Sequence, residues 1–156
     1  MIKIMKDCWN ENEYELREAL KEHTGLNDCS YKDLVKIAFK YIYNTCAKSR
    51  FGVPELNLDR ITEINDGSYQ GTLVYMIPFD TYQPDEGEYL TTYVGYGSCS
   101  HCDTLQSIQY YVENVKPTDE QLAGFMILCK DIICNTIRPY NVGWRENDIF
   151  GPVEID

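Results

Sequence analysis

At 156 residues, 44% of them apolar and 25% charged, the chain is long enough for one domain spanning 1–156 and too apolar to stay disordered. Its 14 basic and 25 acidic residues leave a formal charge of -11, which disfavours direct nucleic-acid binding, since such binding draws its affinity from Lys and Arg. No run approaches the roughly 18 consecutive apolar residues that cross a bilayer, and charges interrupt the apolar stretch an export signal needs in Met1-Ile-Lys-Ile-Met-Lys-Asp-Cys8, so the expected location is cytoplasmic.

Taken in chain order, Asn10 with Glu13 makes a capping-box pattern and Gly25-Leu26 a helix end, which predicts a first helix over residues 11–23. Trp9, Leu16, Ala19 and Leu20 would face inward, and His23 would complement the helix dipole. Ser30 with Asp33 opens a second helix. Its residues Leu34, Val35, Ile37, Ala38, Phe39, Tyr41, Ile42 and Tyr43 are apolar on too many sides for a surface position, so it belongs at the centre of the core. Arg50-Phe-Gly-Val-Pro54 breaks the helical pattern. Ile61 and Ile64 precede the hairpin signal Asn65-Asp66-Gly67, and Gly71-Thr-Leu-Val-Tyr-Met-Ile77 reads as the returning strand, ended or placed at an edge by Pro78. Tyr89-Leu-Thr-Thr-Tyr-Val-Gly95-Tyr96 reads as a third strand. Three strands with no helix between them predict an antiparallel meander. Residues 103–114 read as a helix, and Thr118 with Gln121 caps a longer one that runs through Ile133 and is closed by Arg138-Pro139. Trp144, Phe150 and Val153 in the remaining tail would pack in part over the core. The expected fold is α+β, with two N-terminal helices, a three-stranded antiparallel meander and two C-terminal helices.

The charge is unevenly placed. Residues 1–60 hold ten bases and ten acids, whereas residues 61–156 hold four bases and fifteen acids. Between Arg60 and Lys116 there is no Lys or Arg, and eight acids share the stretch with eight tyrosines. Such a surface attracts basic proteins and steers their approach. The densest part, Asp80-Thr-Tyr-Gln-Pro-Asp85-Glu86-Gly87-Glu88, lacks the spacing of an EF-hand loop, so a partner surface is the better reading than a calcium site. Asp80, Asp85, Glu86 and Glu88 are the expected contact residues, with Tyr82 and Tyr89 as aromatic anchors.

In a reducing compartment seven cysteines, an odd number, point to free thiols, a metal site or redox chemistry before a disulfide framework. The sharpest motif is Tyr96-Gly-Ser-Cys99-Ser-His101-Cys102-Asp103, between a strand and a helix. Three readings stand for it. At a helix N-terminus, with His101 alongside, Cys99 would be a reactive thiolate and Cys102 its resolving partner. The pair could instead supply half of a zinc site, completed from among Cys8, Cys29, Cys46, Cys129, Cys134, His23 and His101. The plainest reading makes both cysteines small apolar fillers of a tight turn beside Gly95 and Gly97, and the other five cysteines core thiols. No Gly-rich phosphate loop, Gly-x-Ser-x-Gly elbow or His-Glu-x-x-His motif is present, so an enzyme is not expected, nor a cofactor beyond the zinc alternative.

The run Tyr-Gly-Ser-Cys-Ser-x-Cys-Asp-x-Leu-Gln starting at Tyr96 resembles a stretch of small bacteriophage and prophage proteins, and Leu128-Cys-Lys-Asp-Ile-Ile-Cys-Asn-Thr-Ile-Arg-Pro-Tyr-Asn141 is similar to the same group. The resemblance implies a phage or mobile-element origin and carries over no functional residue. Small acidic phage proteins often act by binding a host protein. Together with the charge, this yields the leading expectation of an inhibitor of a basic, nucleic-acid-handling host protein, anti-CRISPR or otherwise anti-defence, acting in the cytoplasm of an infected or lysogenic bacterium. A thiol-redox or zinc protein centred on Cys99 and Cys102 is the alternative. A phage structural or assembly component, recognisable by self-association into a homo-oligomer, is the third.

Overall fold

The computed structural model describes residues 3–46, 52, 54–85 and 87–137. Ile4, Met5, Cys8, Trp9, Leu16 and Leu20 recur at helical spacing and are all buried, and they make one continuous helix α1 over Lys3–Glu22. This corrects the expected start at residue 11. Asn10 lies exposed in mid-helix, because burial of the preceding turns outweighs a local cap signal. His23 accepts a hydrogen bond from the Gly25 N–H at Nδ1 (3.0 Å), so it braces the turn after α1. A 3-10 turn, Leu26–Asp28, leads to α2, Tyr31–Phe39, whose start is the expected reciprocal capping box of Ser30 and Asp33. The helix widens into a π turn over Lys40–Asn44. Leu34, Val35, Ala38, Phe39 and Ile42 are fully buried, in keeping with a central position.

Cys8 of α1 and Cys46, just beyond the π turn, form a disulfide with Cα atoms 6.1 Å apart. The expectation of free thiols throughout is therefore wrong for this pair. Both residues are buried, which places the bond out of reach of a small reductant until the helices open locally. Sequence separation of 38 residues gave no sign of the pairing. It follows from the packing of α1 on the π turn.

The sheet is the expected meander, in the order β1 (Thr62–Asn65), β2 (Gly71–Pro78), β3 (Tyr89–Tyr96). Its register sets Leu73 opposite Val94, Tyr75 opposite Thr92 and Ile77 opposite Leu90, so one face of the two longer strands is buried from Leu73 to Ile77 and from Leu90 to Val94. Residues of β1 are all exposed and add an edge without adding to the core. Pro78 is the last residue of β2, which is the central strand and not an edge.

After β3 the chain makes a short helix α3, Thr104–Ile108, and then leaves helical geometry, which corrects the helix expected over 103–114. Tertiary hydrogen bonds take over there: Gln109 Nε2 donates to the Leu26 carbonyl (2.8 Å) and the Tyr110 N–H to Asn27 Oδ1 (3.1 Å). Tyr111 and Asn114 adopt positive φ. The last helix, α4, covers Asp119–Cys134 and opens with the expected Thr118 and Gln121 capping box. It ends at Cys134 with Asn135 as its cap, short of the expected Arg138-Pro139, which with Trp144, Phe150 and Val153 lies outside the described residues. α1, α2 and α3 pack on α4, and α4 packs on β3. The Thr92 hydroxyl donates to the Ile132 carbonyl (2.6 Å) in the buried joint between sheet and helices. Among the described residues no helix is long and apolar enough to cross a membrane.

Candidate functional site

Two loops hold the residues singled out from the sequence, one at each end of β3. The first joins β2 to β3. Its neck is closed by the Phe79 N–H donating to the Glu88 carbonyl (2.8 Å). Inside it, Glu88 Oε2 accepts from the Thr81 hydroxyl (3.3 Å) and the Asp85 N–H (3.1 Å), and Asp85 Oδ1 accepts from the Gly87 N–H (2.9 Å). Glu88, expected as a contact residue, is half-buried and braces the loop through Oε2. Tyr89 is half-buried at the start of β3, and Glu86 lies outside the described residues. Asp80, Tyr82 and Asp85 remain at the surface, Tyr82 at 93% exposure.

Chain folding adds acids that the linear reading missed. Leu56 bridges Phe79, the Asp80 N–H donates to the Glu55 carbonyl (2.9 Å), and the Asn57 N–H donates to the Pro78 carbonyl (2.8 Å), so the segment after Pro54 runs beside the loop. Asn44 clamps that segment by donating to the Leu56 carbonyl (3.0 Å) and accepting from its N–H (2.8 Å). The result is a groove of about 370 Å³ lined, among the described residues, by Asn44, Leu56, Asn57, Leu58, Asp59 and Asp80. Asp59 belonged to the charge-balanced half of the sequence. The pairing of residues 55–57 with Pro78, Phe79 and Asp80 brings it to the acidic end.

The second loop follows β3 and carries the cysteine pair. Cys99 and Cys102 are both exposed. Their sulfurs are 3.0 Å apart. The Cys99 carbonyl accepts from the Cys102 N–H (3.1 Å) and the Asp103 N–H (2.9 Å), which closes the turn. Asp103 lies beneath it, buried. Its Oδ2 accepts from the Gly97 N–H (2.9 Å), and its Oδ1 accepts from the Gln106 N–H (2.8 Å) and the Tyr31 hydroxyl (3.1 Å). Tyr31 in turn accepts from the Leu105 N–H (3.1 Å), and burial, with the Asp103 carboxylate, pushes its phenol up to about 12, so it keeps the proton it donates. Gly97 has no room for a side chain, since a Cβ there would stand 2.3 Å from the Cys102 carbonyl oxygen.

Within the pair the backbone donor reaches Cys102. Cys102 Sγ accepts from the Cys99 N–H (3.1 Å) and faces the Ser98 hydroxyl at 3.7 Å. Its thiol lies below the ordinary range because hydrogen bonds from Cys99 and Ser98 favour the thiolate. The donors are a neighbouring thiol, a hydroxyl and a backbone N–H. They are not the expected helix N-terminus, whose cap is Asp103, nor His101, which is exposed and bonds to neither sulfur. Burial pushes the Cys29 and Cys129 thiols up to about 12 and raises that of Cys134. Among the described residues no three His, Cys, Asp or Glu side chains converge as a metal site would need, so the zinc alternative finds no third described ligand beside Cys99 and Cys102. The chain matches no protein-family model, no curated protein and no solved structure.

Proposed function

We propose that the chain is an acidic interaction protein of bacteriophage type that binds and blocks a basic, nucleic-acid-handling host protein, an anti-CRISPR or other anti-defence inhibitor. The observation that carries this reading is Tyr82, 93% exposed on an internally braced loop between exposed Asp80 and Asp85 and beside a groove lined by Asp59. A large aromatic held in water by an ordered loop supplies contact area at low entropic cost. The acids around it would compete for Lys and Arg that otherwise grip phosphates. The contact set is accordingly Asp59, Asp80, Tyr82 and Asp85, with Glu88 as the brace behind it.

The test uses the tagged chain as bait in host lysate, followed by cleavage assays of the captured nuclease with wild type and an Asp59→Asn, Asp80→Asn, Asp85→Asn triple variant at low and high salt. Inhibition that weakens with salt and is lost in the triple variant supports the reading. Inhibition indifferent to both refutes its electrostatic basis, and stable self-association with no captured nuclease would place the chain among phage assembly components.

A further inference from the structure

Cys99 and Cys102 are built differently from the other described cysteines. They are exposed, whereas Cys8 and Cys46 are locked in a buried bond, Cys129 is buried, and Cys29 and Cys134 are half-buried. Their sulfurs stand 3.0 Å apart, about 1 Å beyond bonding distance. The turn that holds them is closed by two N–H groups on the Cys99 carbonyl and fixed from below by Asp103, which ties Gly97, α3 and α2 together. Only one sulfur is supplied with a backbone donor, that of Cys102, which accepts from the Cys99 N–H.

We propose that Cys99 and Cys102 form a dithiol–disulfide centre that exchanges two electrons with small or surface-exposed disulfides, with Cys102 as the attacking thiolate and Cys99 as the resolving thiol. Cys102 Sγ attacks one sulfur of a substrate disulfide, R–S–S–R. The substrate S–S bond breaks, R–S⁻ leaves and takes a proton from water, and a Cys102–S–S–R mixed disulfide remains. Cys99 loses its proton to solvent and attacks Cys102 Sγ. The mixed bond breaks, the second R–S⁻ leaves and is protonated, and the Cys99–Cys102 bond closes. Two electrons have passed from the pair to R–S–S–R, the two protons the thiols release to solvent match those the two R–S⁻ take up, and the reverse sequence reduces the Cys99–Cys102 bond while joining two R–SH as a disulfide. Closing needs side-chain movement alone, since the backbone turn already sets the sulfurs face to face. The lowered thiol of Cys102 agrees with the assignment of the attacking group.

The experiment exposes the full chain, after mild reduction that spares the buried Cys8–Cys46 bond, to oxidised glutathione at pH 7. Remaining thiols are then blocked with iodoacetamide and mapped by peptide mass. Wild type should close the Cys99–Cys102 bond without accumulating a glutathione adduct. Cys99→Ser should accumulate the adduct on Cys102, and Cys102→Ser should form it on Cys99 about tenfold more slowly. Equal rates in the two variants, an unresolved adduct on wild type, or one zinc ion per chain that blocks both reactions would overturn the proposal. Both cysteines are exposed, so loss of fold is not expected in either variant, and circular dichroism checks it.

Discussion

The two loops at the ends of β3 are each organised around one carboxylate, and the two carboxylates differ in reach. Glu88 braces its loop locally, accepting from Thr81 and Asp85 within seven residues. Asp103 is buried and joins three elements, accepting from Gly97, Gln106 and Tyr31 of α2. The first loop can therefore loosen without disturbing the core, whereas the second is continuous with it. The comparison also separates charge from available charge. Asp80 and Asp85 are exposed, Asp85 with one carboxylate oxygen accepting from the Gly87 N–H, while the carboxylates of Glu88 and Asp103 each accept two or more of the chain's own donors in less exposed positions.

Removing each brace should expose that difference. Asp103→Ala leaves three donors in a buried site without an acceptor, at roughly 1–3 kcal/mol for each unsatisfied group, so it should lower unfolding free energy by about 3 kcal/mol or more in urea titration. Loss of the turn should also slow thiol–disulfide exchange at Cys102. Glu88→Ala removes two hydrogen bonds from a half-buried position and should cost about 1–2 kcal/mol. Its effect should stay in the loop, visible as faster amide exchange at Asp85 with unchanged exchange in α4. A smaller or equal loss for Asp103→Ala than for Glu88→Ala would contradict the distinction. Tyr82→Ala should change stability by no more than about 0.5 kcal/mol, because an exposed side chain away from caps and networks contributes little, and any binding loss it causes is then a contact effect.

The pH dependence of alkylation sharpens the comparison within the cysteines. A thiol held below its ordinary pKa keeps its thiolate to lower pH, so Cys102 should react with iodoacetamide at a midpoint below the about 8.5 of an unperturbed cysteine. Cys29 and Cys129, pushed up to about 12 by burial, should stay unmodified at pH 8 in the folded chain and react only on unfolding. Equal labelling of Cys29 and Cys102 at pH 8 would contradict the difference in environment.

Where structure is locally encoded, the sequence was readable. The two capping boxes, Ser30 with Asp33 and Thr118 with Gln121, sit where expected, and β3 keeps its expected bounds of Tyr89–Tyr96 because alternation and flanking turns specify them together. The misses share a tertiary cause. Asn10 carried a cap signal that burial of Ile4, Met5 and Cys8 overrode, and residues 109–114 kept apolar spacing while Leu26 and Asn27 supplied hydrogen bonds of longer reach. The Cys8–Cys46 bond depends on helix packing that no spacing rule expresses. At the candidate sites the residue types were legible and their availability was not. Asp80 and Glu88 both read as surface acids in the sequence, Asp59 reaches the acidic end through the pairing of residues 55–57 with Pro78, Phe79 and Asp80, and the exposure of Cys99 and Cys102 is not written in their spacing.

The claim that the β2–β3 loop is a contact surface for a basic partner is tested most directly by binding. The captured host protein would be titrated with wild type, Tyr82→Ala and the Asp80→Asn, Asp85→Asn pair at two salt concentrations, with unfolding free energy measured in parallel. The account predicts at least about tenfold weaker binding for both variants, a shallower salt dependence for the paired variant, and unchanged stability. Unchanged affinity and salt dependence in both variants would contradict it.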